Sequence, residues 1–411
     1  MKKKLLAFTA AVLMAPQMVG AEGFAIYEWS AEGLAMGGAR MFAEDDAANV
    51  AFNPASITKV KGEAAKISTT YLSPHGKYDL EKRNLLPYAA GGKESGHNRI
   101  HPAWAPGMYY VRQINDKEWL GMATYSRFGL ISQFERNSAA GSNAFSSKLF
   151  GVSLGVNYAH KFDKKWTGAL GAEVNYVGLQ LDKNLLGAVP LHIEGESYAL
   201  GWNAAANYTF DEKNEMGVVY RSKINHSMEA DYDWHNPLPS ADIYGDAYGC
   251  VTLPESIDVG YSHKFNDKTR VEARYTWTRW ERYDALDMSF NPGVLGETFV
   301  PSPKNWSNGQ RFAIGLEHKF SDKYSGMLGY AHDKSSIPYN GGDFMIPTGT
   351  RTTYSIGAQY HDKKQTLGVA LAYMNVGCLD FARGGITDLY SSAHSRDSYT
   401  KIASISYQRH F

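Results

Sequence analysis

Phe150-Gly151-Val152-Ser153-Leu154-Gly155-Val156-Asn157-Tyr158 places an apolar side chain at every second position, with small or polar residues between. Successive side chains of a strand leave on opposite faces. The run therefore reads as a strand with Phe150, Val152, Leu154, Val156 and Tyr158 on one face and Gly151, Ser153, Gly155 and Asn157 on the other. Next comes a second alternation, in which Trp166, Gly168, Leu170, Ala172, Val174 and Tyr176 stand opposite Thr167, Gly171, Glu173 and Asn175. Strands with one apolar and one polar face suit a wall between lipid and a hydrated lumen, and Glu173 is expected to face that lumen.

The same period recurs from about residue 64 to the last residue. It predicts strands near 64–73, 105–114, 118–134, 147–161, 166–181, 197–210, 215–229, 253–265, 268–282, 309–320, 324–334, 351–361, 364–376 and 398–411, fourteen in all. Six connections are tight and alike: Asn115-Asp116-Lys117, Asp163-Lys164-Lys165, Asp211-Glu212-Lys213-Asn214, Asn266-Asp267-Lys268, Ser321-Asp322-Lys323 and Asp362-Lys363-Lys364. They join alternate strand pairs only. The other seven are longer and rich in Gly, Pro, Ser and Asn. Short turns at one end and long loops at the other is the outer-membrane barrel arrangement. An even strand count puts both barrel ends on the short-turn, periplasmic side. Trp119, Phe162, Trp166, Phe210, Phe265, Phe320, Tyr324 and Tyr360 flank the short turns and read as an interface girdle. The last strand carries Ala403, Ile405, Tyr407, Arg409 and Phe411 on one face, with Arg409 placed to snorkel.

Composition agrees. The chain has 411 residues, 42 Lys plus Arg against 42 Asp plus Glu, and 27 Tyr, 9 Trp, 18 Phe and 40 Gly. Neutral balance gives no reason to expect a nucleic-acid partner. Many aromatics in a chain that is hydrophilic on average fit an inside-out barrel. Residues 1–21 open with Lys2-Lys3-Lys4, continue through an apolar run from Leu5 to Met14 and end at Val19-Gly20-Ala21, the layout of an export signal. No segment offers the roughly 20 consecutive apolar residues of a spanning helix.

Between leader and first strand lies Asp45-Asp46-Ala47-Ala48-Asn49-Val50-Ala51-Phe52-Asn53-Pro54-Ala55-Ser56-Ile57-Thr58. Proline disfavours helix at the residue before it, and Asp46, Asn49 and Ser56 offer local side-chain hydrogen bonds, so a compact, non-repetitive knot is expected. It either hangs in the periplasm or fills the lumen. Phe24, Ile26, Trp29, Leu34, Met36, Phe42, Val50 and Phe52 need cover from water, which favours the lumen. The expected fold class is all-β: a 14-stranded antiparallel transmembrane β-barrel with an N-terminal luminal plug, divided as leader 1–21, plug 22–63 and barrel 64–411.

No Walker loop, His-Glu-x-x-His or metal-ligand spacing is present, Gly151-Val152-Ser153-Leu154-Gly155 belongs to the strand alternation, and His160, His263, His318 and His410 sit at short-turn strand ends in a repeated pattern that reads as structural. Neither an enzyme nor a cofactor or metal is expected. Phe128-Gly129-Leu130 interrupts the third strand, where a glycine suggests a kink or a close approach of backbone. Leu286, Met288, Phe290, Val294, Leu295, Phe299, Val300, Phe344, Met345 and Ile346 make several long loops apolar, either as a collecting groove or as packing between loops. Cys250 and Cys378 lie in two loops, with pairing open.

The Asn53-Pro54-Ala55 element after Asp45-Asp46-Ala47-Ala48-Asn49-Val50 resembles the plug motif of the FadL family of outer-membrane transporters for long-chain fatty acids and other hydrocarbons. Gly23-Phe24, Tyr125-Ser126-Arg127-Phe128-Gly129-Leu130, Gly201-Trp202-Asn203-Ala204, Tyr220-Arg221-Ser222 and Leu253-Pro254-Glu255 extend the resemblance over nearly the whole mature chain. It implies passive uptake of a hydrophobic small molecule across a bacterial outer membrane, with capture in an outer groove that Phe290 and Phe299 would line and a pocket near Phe24. Exit would be sideways at a kink matching Phe128, Gly129 and Leu130. Lys183 lies near a basic pocket position in that family, among the less basic neighbours Leu179-Gln180-Leu181-Asp182. The expected partners are the hydrophobic ligand and outer-membrane lipid, with no obligate protein partner. Rival expectations are an outer-membrane lipid hydrolase and a general porin for hydrophilic solutes.

Overall fold

The computed structural model describes residues 23–83, 91–237, 240–338, 341–381, 384–385 and 387–411, so the expected leader at 1–21 lies outside the described residues. The wall strands are β1 (Glu63–Lys82), β2 (Ala103–Asn115), β3 (Glu118–Gln133), β4 (Ser146–Lys161), β5 (Trp166–Leu185), β6 (Val189–Thr209) and β7 (Asn214–Arg221, then Ile224–Pro237). They continue as β8 (Ser240–Leu253, then Ser256–Lys264), β9 (Thr269–Thr278), β10 (Gly309–Lys319), β11 (Tyr324–Lys334), β12 (Arg351–His361), β13 (Gln365–Val376) and β14 (Tyr390–His410). Each pairs antiparallel with the next, and β14 returns to β1 with Ala64 opposite His410, closing the ring of fourteen. Closure removes the free edges that lipid could not hydrogen-bond.

At the level of the aromatic belt the wall is inside out. On β4, Leu154, Val156 and Tyr158 are exposed while Ser153 and Asn157 are buried, and Glu173 on β5 is buried. Phe162, Trp166, Phe210, Phe265, Phe320 and Tyr324 are exposed at the short-turn ends, and Tyr360 is half-buried. Trp119 differs: its ring turns inward and its Nε1 donates to Val60 O at 2.8 Å, so it clamps the N-terminal segment and is not part of the girdle. The six tight turns share one device. In each, the side-chain oxygen of Asn115, Asp163, Asp211, Asn266, Ser321 or Asp362 accepts from the backbone N–H two residues on.

Higher up, the alternation changes sign. Facing inward on β5, Glu173 and Asn175 give way to Val177, Leu179 and Leu181, and on β7 Arg221 gives way to Ile224, Met228, Tyr232 and Trp234. Outward-facing Asn225, Ser227, Glu229 and Asp231 are exposed on the same stretch. The strands thus run past the membrane with ordinary polarity, and 230–252, read from sequence as a loop, is a β7–β8 hairpin. A polar lower lumen and an apolar upper lumen result.

The N-terminal segment fills the lower lumen. Helix α1 (Ala31–Ala35) is capped by Ser30, whose Oγ accepts from Gly33 N at 3.0 Å. Two short helical turns follow, Asn49–Phe52 and Pro54–Lys59, meeting at an extended Asn53. Proline at the first position of the second turn needs no N–H donor there, and Asn53 Oδ1 caps it by accepting from Ala55 N at 3.2 Å. The expected knot is therefore two helical turns hinged at Asn53. Asn53 Nδ2 also donates to Asn207 Oδ1 on β6 at 2.8 Å. Asn53→Ala removes the cap and that bond and is expected to destabilise the seated segment by about 1–3 kcal/mol, read as a lower denaturant midpoint for the burial of Trp29; an unchanged midpoint would contradict it.

Buried charges complete the seat. Lys66 Nζ on β1 reaches Glu32 Oε2 at 2.7 Å and Asp46 Oδ1 at 2.9 Å. Arg40 joins Asp46 at 3.2 Å and Glu317 of β10 at 3.4 Å. Met41 N and Phe42 N donate to Glu272 Oε2 at 2.6 and 3.0 Å. Arg221 donates to Ala51 O while paired with Asp258.

Candidate ligand path

Strand β3 carries one residue more than its partner. It pairs with β4 up to Tyr125 opposite Ser153 and resumes with Phe128 opposite Gly151, so three steps on β3 match two on β4. Its ladder with β2 ends at Met108 opposite Thr124. Above that point, among the described residues, no ladder joins 103–107 to 125–130; contact resumes where Arg99 N donates to Gln133 O at 2.7 Å. The interruption expected at Phe128-Gly129-Leu130 thus begins at Ser126-Arg127.

Backbone groups freed by the bulge need partners. The N-terminal segment supplies them: Ile26 N donates to Arg127 O at 2.8 Å, Gly129 N to Phe24 O at 2.8 Å, and Trp29 Nε1 to Ser126 O at 2.8 Å. Ala25 bridges antiparallel to Phe128. Arg127 Nη1 is held by Glu173 Oε1 at 2.7 Å, both side chains buried. In this state the seam is closed by a few residues of extended chain.

Beside the seam, Phe24 fills a box of aromatic rings. Its centroid lies 4.8 Å from Trp280, 5.2 Å from Tyr283, 6.0 Å from Phe128 and 6.1 Å from Trp306. Gly23 has φ +62°, and a Cβ there would come within 2.5 Å of the Trp306 ring and 2.8 Å of the Trp280 ring, so only glycine lets the chain approach. Tyr27 lies 4.3 Å under the Arg311 guanidinium. Burial pushes the neighbouring Glu28 carboxyl up, against the pull of Arg311 and Arg351.

Further out, Phe344 packs among Tyr78, Phe134, Phe381 and Tyr390 at ring spacings of 4.7–5.2 Å. A cavity of about 70 Å³ adjoins it, lined by Leu130, Phe134, Phe344, Phe381 and Tyr399 among others. Lys183, at the outer end of β5, makes no hydrogen bond or ion pair among the described residues, and Asp388, Lys304 and Asp343 are the charges acting on it. Lys304, buried and 2.8 Å from Asp343, is a second cation that sequence reasoning missed. Phe290 packs on Tyr232 at 5.1 Å, while Phe299 is exposed on the hairpin of Met288–Val294 and Glu297–Val300. Phe24, Phe128, Gly129 and Leu130 are brought together; Lys183, Phe290 and Phe299 stand apart in the outer half, and Asn53, Pro54 and Ala55 lie below. Cys250 and Cys378 are exposed and free. His160, His263 and His318 pack at 4.8–5.0 Å on Phe162, Phe265 and Phe320, and among the described residues no cluster suited to a metal ion occurs.

A closed ring of fourteen strands with an inside-out lower wall and an occupied lumen defines an outer-membrane β-barrel of the transport class. Residues 12–410 match the family described as outer membrane protein transport protein (OMPP1/FadL/TodX), and the chain belongs to it. It is a transport protein of the outer membrane and not an enzyme. Similar relatives include a long-chain fatty acid transport protein of Escherichia coli O6:H1, 24% identical over 94% of both chains. Another is outer membrane protein P1 of Haemophilus influenzae, 26% identical over 85% of both. Among solved structures, a Pseudomonas aeruginosa FadL homologue superposes with TM-score 0.82 at 18% identity, covering 94% of this chain and 99% of that one. The P. putida toluene transporter TodX gives 0.72 at 16% identity, covering 94% and 99%.

Proposed function

We propose that this barrel carries hydrophobic small molecules, of the long-chain fatty-acid or aromatic-hydrocarbon class, passively across the outer membrane. The observation that carries the reading is the unlaced β2–β3 seam, closed by the same N-terminal segment that sets Phe24 in an aromatic box. Residues 1–21 act as the export leader, 22–63 as the plug and 64–411 as the barrel, with Asn53, Pro54 and Ala55 forming the plug's hinge. Ligand captured among the outer loops, where Phe290 and Phe299 lie, moves down the apolar upper lumen to the box and displaces Phe24. It leaves at Phe128, Gly129 and Leu130 into lipid. A carboxylate head, costly to bury unpaired, is met by Lys183.

Equilibrium binding of labelled oleate and labelled toluene to the folded barrel tests this, with Lys183→Ala in parallel. Losing one charge-assisted contact of about 1.5–3 kcal/mol is expected to weaken oleate binding by roughly ten- to a hundredfold and leave toluene unchanged. Toluene binding with oleate indifferent to Lys183 assigns the protein to hydrocarbons; binding of neither overturns the transport reading.

A further inference from the structure

Trp280 is fully buried, and its indole N–H finds no acceptor among the described residues. Such a donor keeps its whole desolvation penalty, and a buried indole N–H ordinarily has a partner. The ring is not free to seek one. It opens the short turn Trp280–Arg282 that follows β9, fixed by Arg279 N donating to Glu255 O at 3.0 Å and Tyr283 N to Trp280 O at 2.9 Å. Phe24 at 4.8 Å, Trp306 at 5.2 Å and Phe128 at 5.9 Å surround it without an oxygen, and the Tyr283 ring at 6.3 Å brings a hydroxyl to which Nε1 makes no hydrogen bond. Packing alone would be served as well by a phenylalanine, with no orphan donor.

We infer that the box is built for an uncharged molecule with a planar apolar body and one hydrogen-bond-accepting oxygen, such as a phenol, aryl ether or aryl ketone, and that Trp280 Nε1 donates to that oxygen. The inference rests on the reading of the box as a station on the ligand path, and Phe24 holds the place when no ligand is bound. Aromatic rings above and beside the ligand supply edge-to-face contacts. Charge is excluded by what stands nearby. The Arg127 guanidinium, 5.3 Å over the Phe128 ring, is already paired with Glu173 at 2.7 Å. Lys304 is likewise paired with Asp343 at 2.8 Å. A carboxylate in the box would meet only neutral donors, Trp280 Nε1 and the Tyr283 hydroxyl, too little to offset its lost hydration.

The test compares p-cresol with p-xylene, which share size and shape and differ by a hydroxyl for a methyl, on the intact barrel and on Trp280→Phe. The p-cresol to p-xylene affinity ratio is expected to fall about tenfold in the variant, the worth of one hydrogen bond, with p-xylene affinity kept. An unchanged ratio with both ligands bound overturns the inference and leaves the transport reading intact. If neither ligand binds the unaltered protein, it is the box as a ligand station that fails. Should Trp280→Phe not fold, 4-methylanisole and 4-ethyltoluene on the unaltered protein decide the matter. After correction for their water-to-alkane transfer, the ether is expected to bind about tenfold tighter, and equal corrected affinities overturn the proposal.

Discussion

Lys66→Met is expected to turn a barrel of low conductance into one that passes steady current. Lys66 is the wall's hold on two separate parts of the N-terminal segment, since its ammonium bridges Glu32 in α1 and Asp46 before Asn53, all three side chains buried. Methionine matches the aliphatic stem but leaves Glu32 without its cation and Asp46 with Arg40 alone at 3.2 Å. Breaking a buried pair from one side costs about 3–5 kcal/mol, because the remaining charge stays buried. An N-terminal segment that loses this much of its hold is then expected to sample unseated states. Single-channel recording in planar bilayers reads this directly; conductance and unfolding midpoint both equal to the unaltered protein's would refute it. Adding Glu32→Gln to the variant is expected to recover part of the loss by removing the stranded carboxylate.

The same network sets a pH window. Burial opposes ionisation of Asp46, but Lys66 and then Arg40 outweigh it and hold the carboxyl at about 2. A folded-state pKa below the ordinary carboxylate value gives stability that is fully present above roughly pH 4 and lost as pH falls toward 2. Conductance of the unaltered barrel is therefore expected to stay low from neutrality down to about pH 4 and to rise below it.

Much of this was legible in the sequence, for reasons particular residues make plain. Inside-out alternation on β4 and β5, with Leu154 and Val174 outside and Asn157 and Glu173 inside, exists only where lipid lies outside, so it marked the membrane-level part of each strand. The six tight turns announced themselves through Asp, Asn or Ser at the first position, because that side chain must accept from the backbone N–H two residues on. Strand extensions beyond the membrane, such as that past residue 229, were missed because alternation inverts there: Tyr232 and Trp234 turn in, and Asp231 turns out. Trp119 was misplaced because a tryptophan at a strand end carries no local sign of which face it uses. The box escaped notice for another reason. Phe24, Phe128, Trp280, Tyr283 and Trp306 come from four distant stretches, and only the fold makes them neighbours.

Removing the extra residue of β3 is expected to shut the lateral route while leaving ligand binding in place. Deleting Arg127 makes the steps from Tyr125 to Phe128 equal to those from Ser153 to Gly151, and Glu173→Gln in the same protein avoids a stranded carboxylate. Phe128 keeps its inward face, because Gly151 opposite it is unmoved, so the box survives. With the bulge gone, β3 can extend its ladder with β2 above Met108 and Thr124; the Gly129 N–H that Phe24 O now serves is taken by the wall, and the Arg127 carbonyl that Ile26 serves is gone with the residue. Five or so new ladder bonds at about 1 kcal/mol each would hold the seam with about 5 kcal/mol, lowering its open fraction by roughly three orders of magnitude. Uptake of labelled ligand by cells should then collapse although binding to the purified barrel persists, while Arg127→Gln with Glu173→Gln, which keeps the extra residue and strands no charge, should leave uptake near normal. Full uptake through the straightened wall would place the exit elsewhere, past the plug into the periplasm, and would reduce the bulge to a device for seating the N-terminal segment.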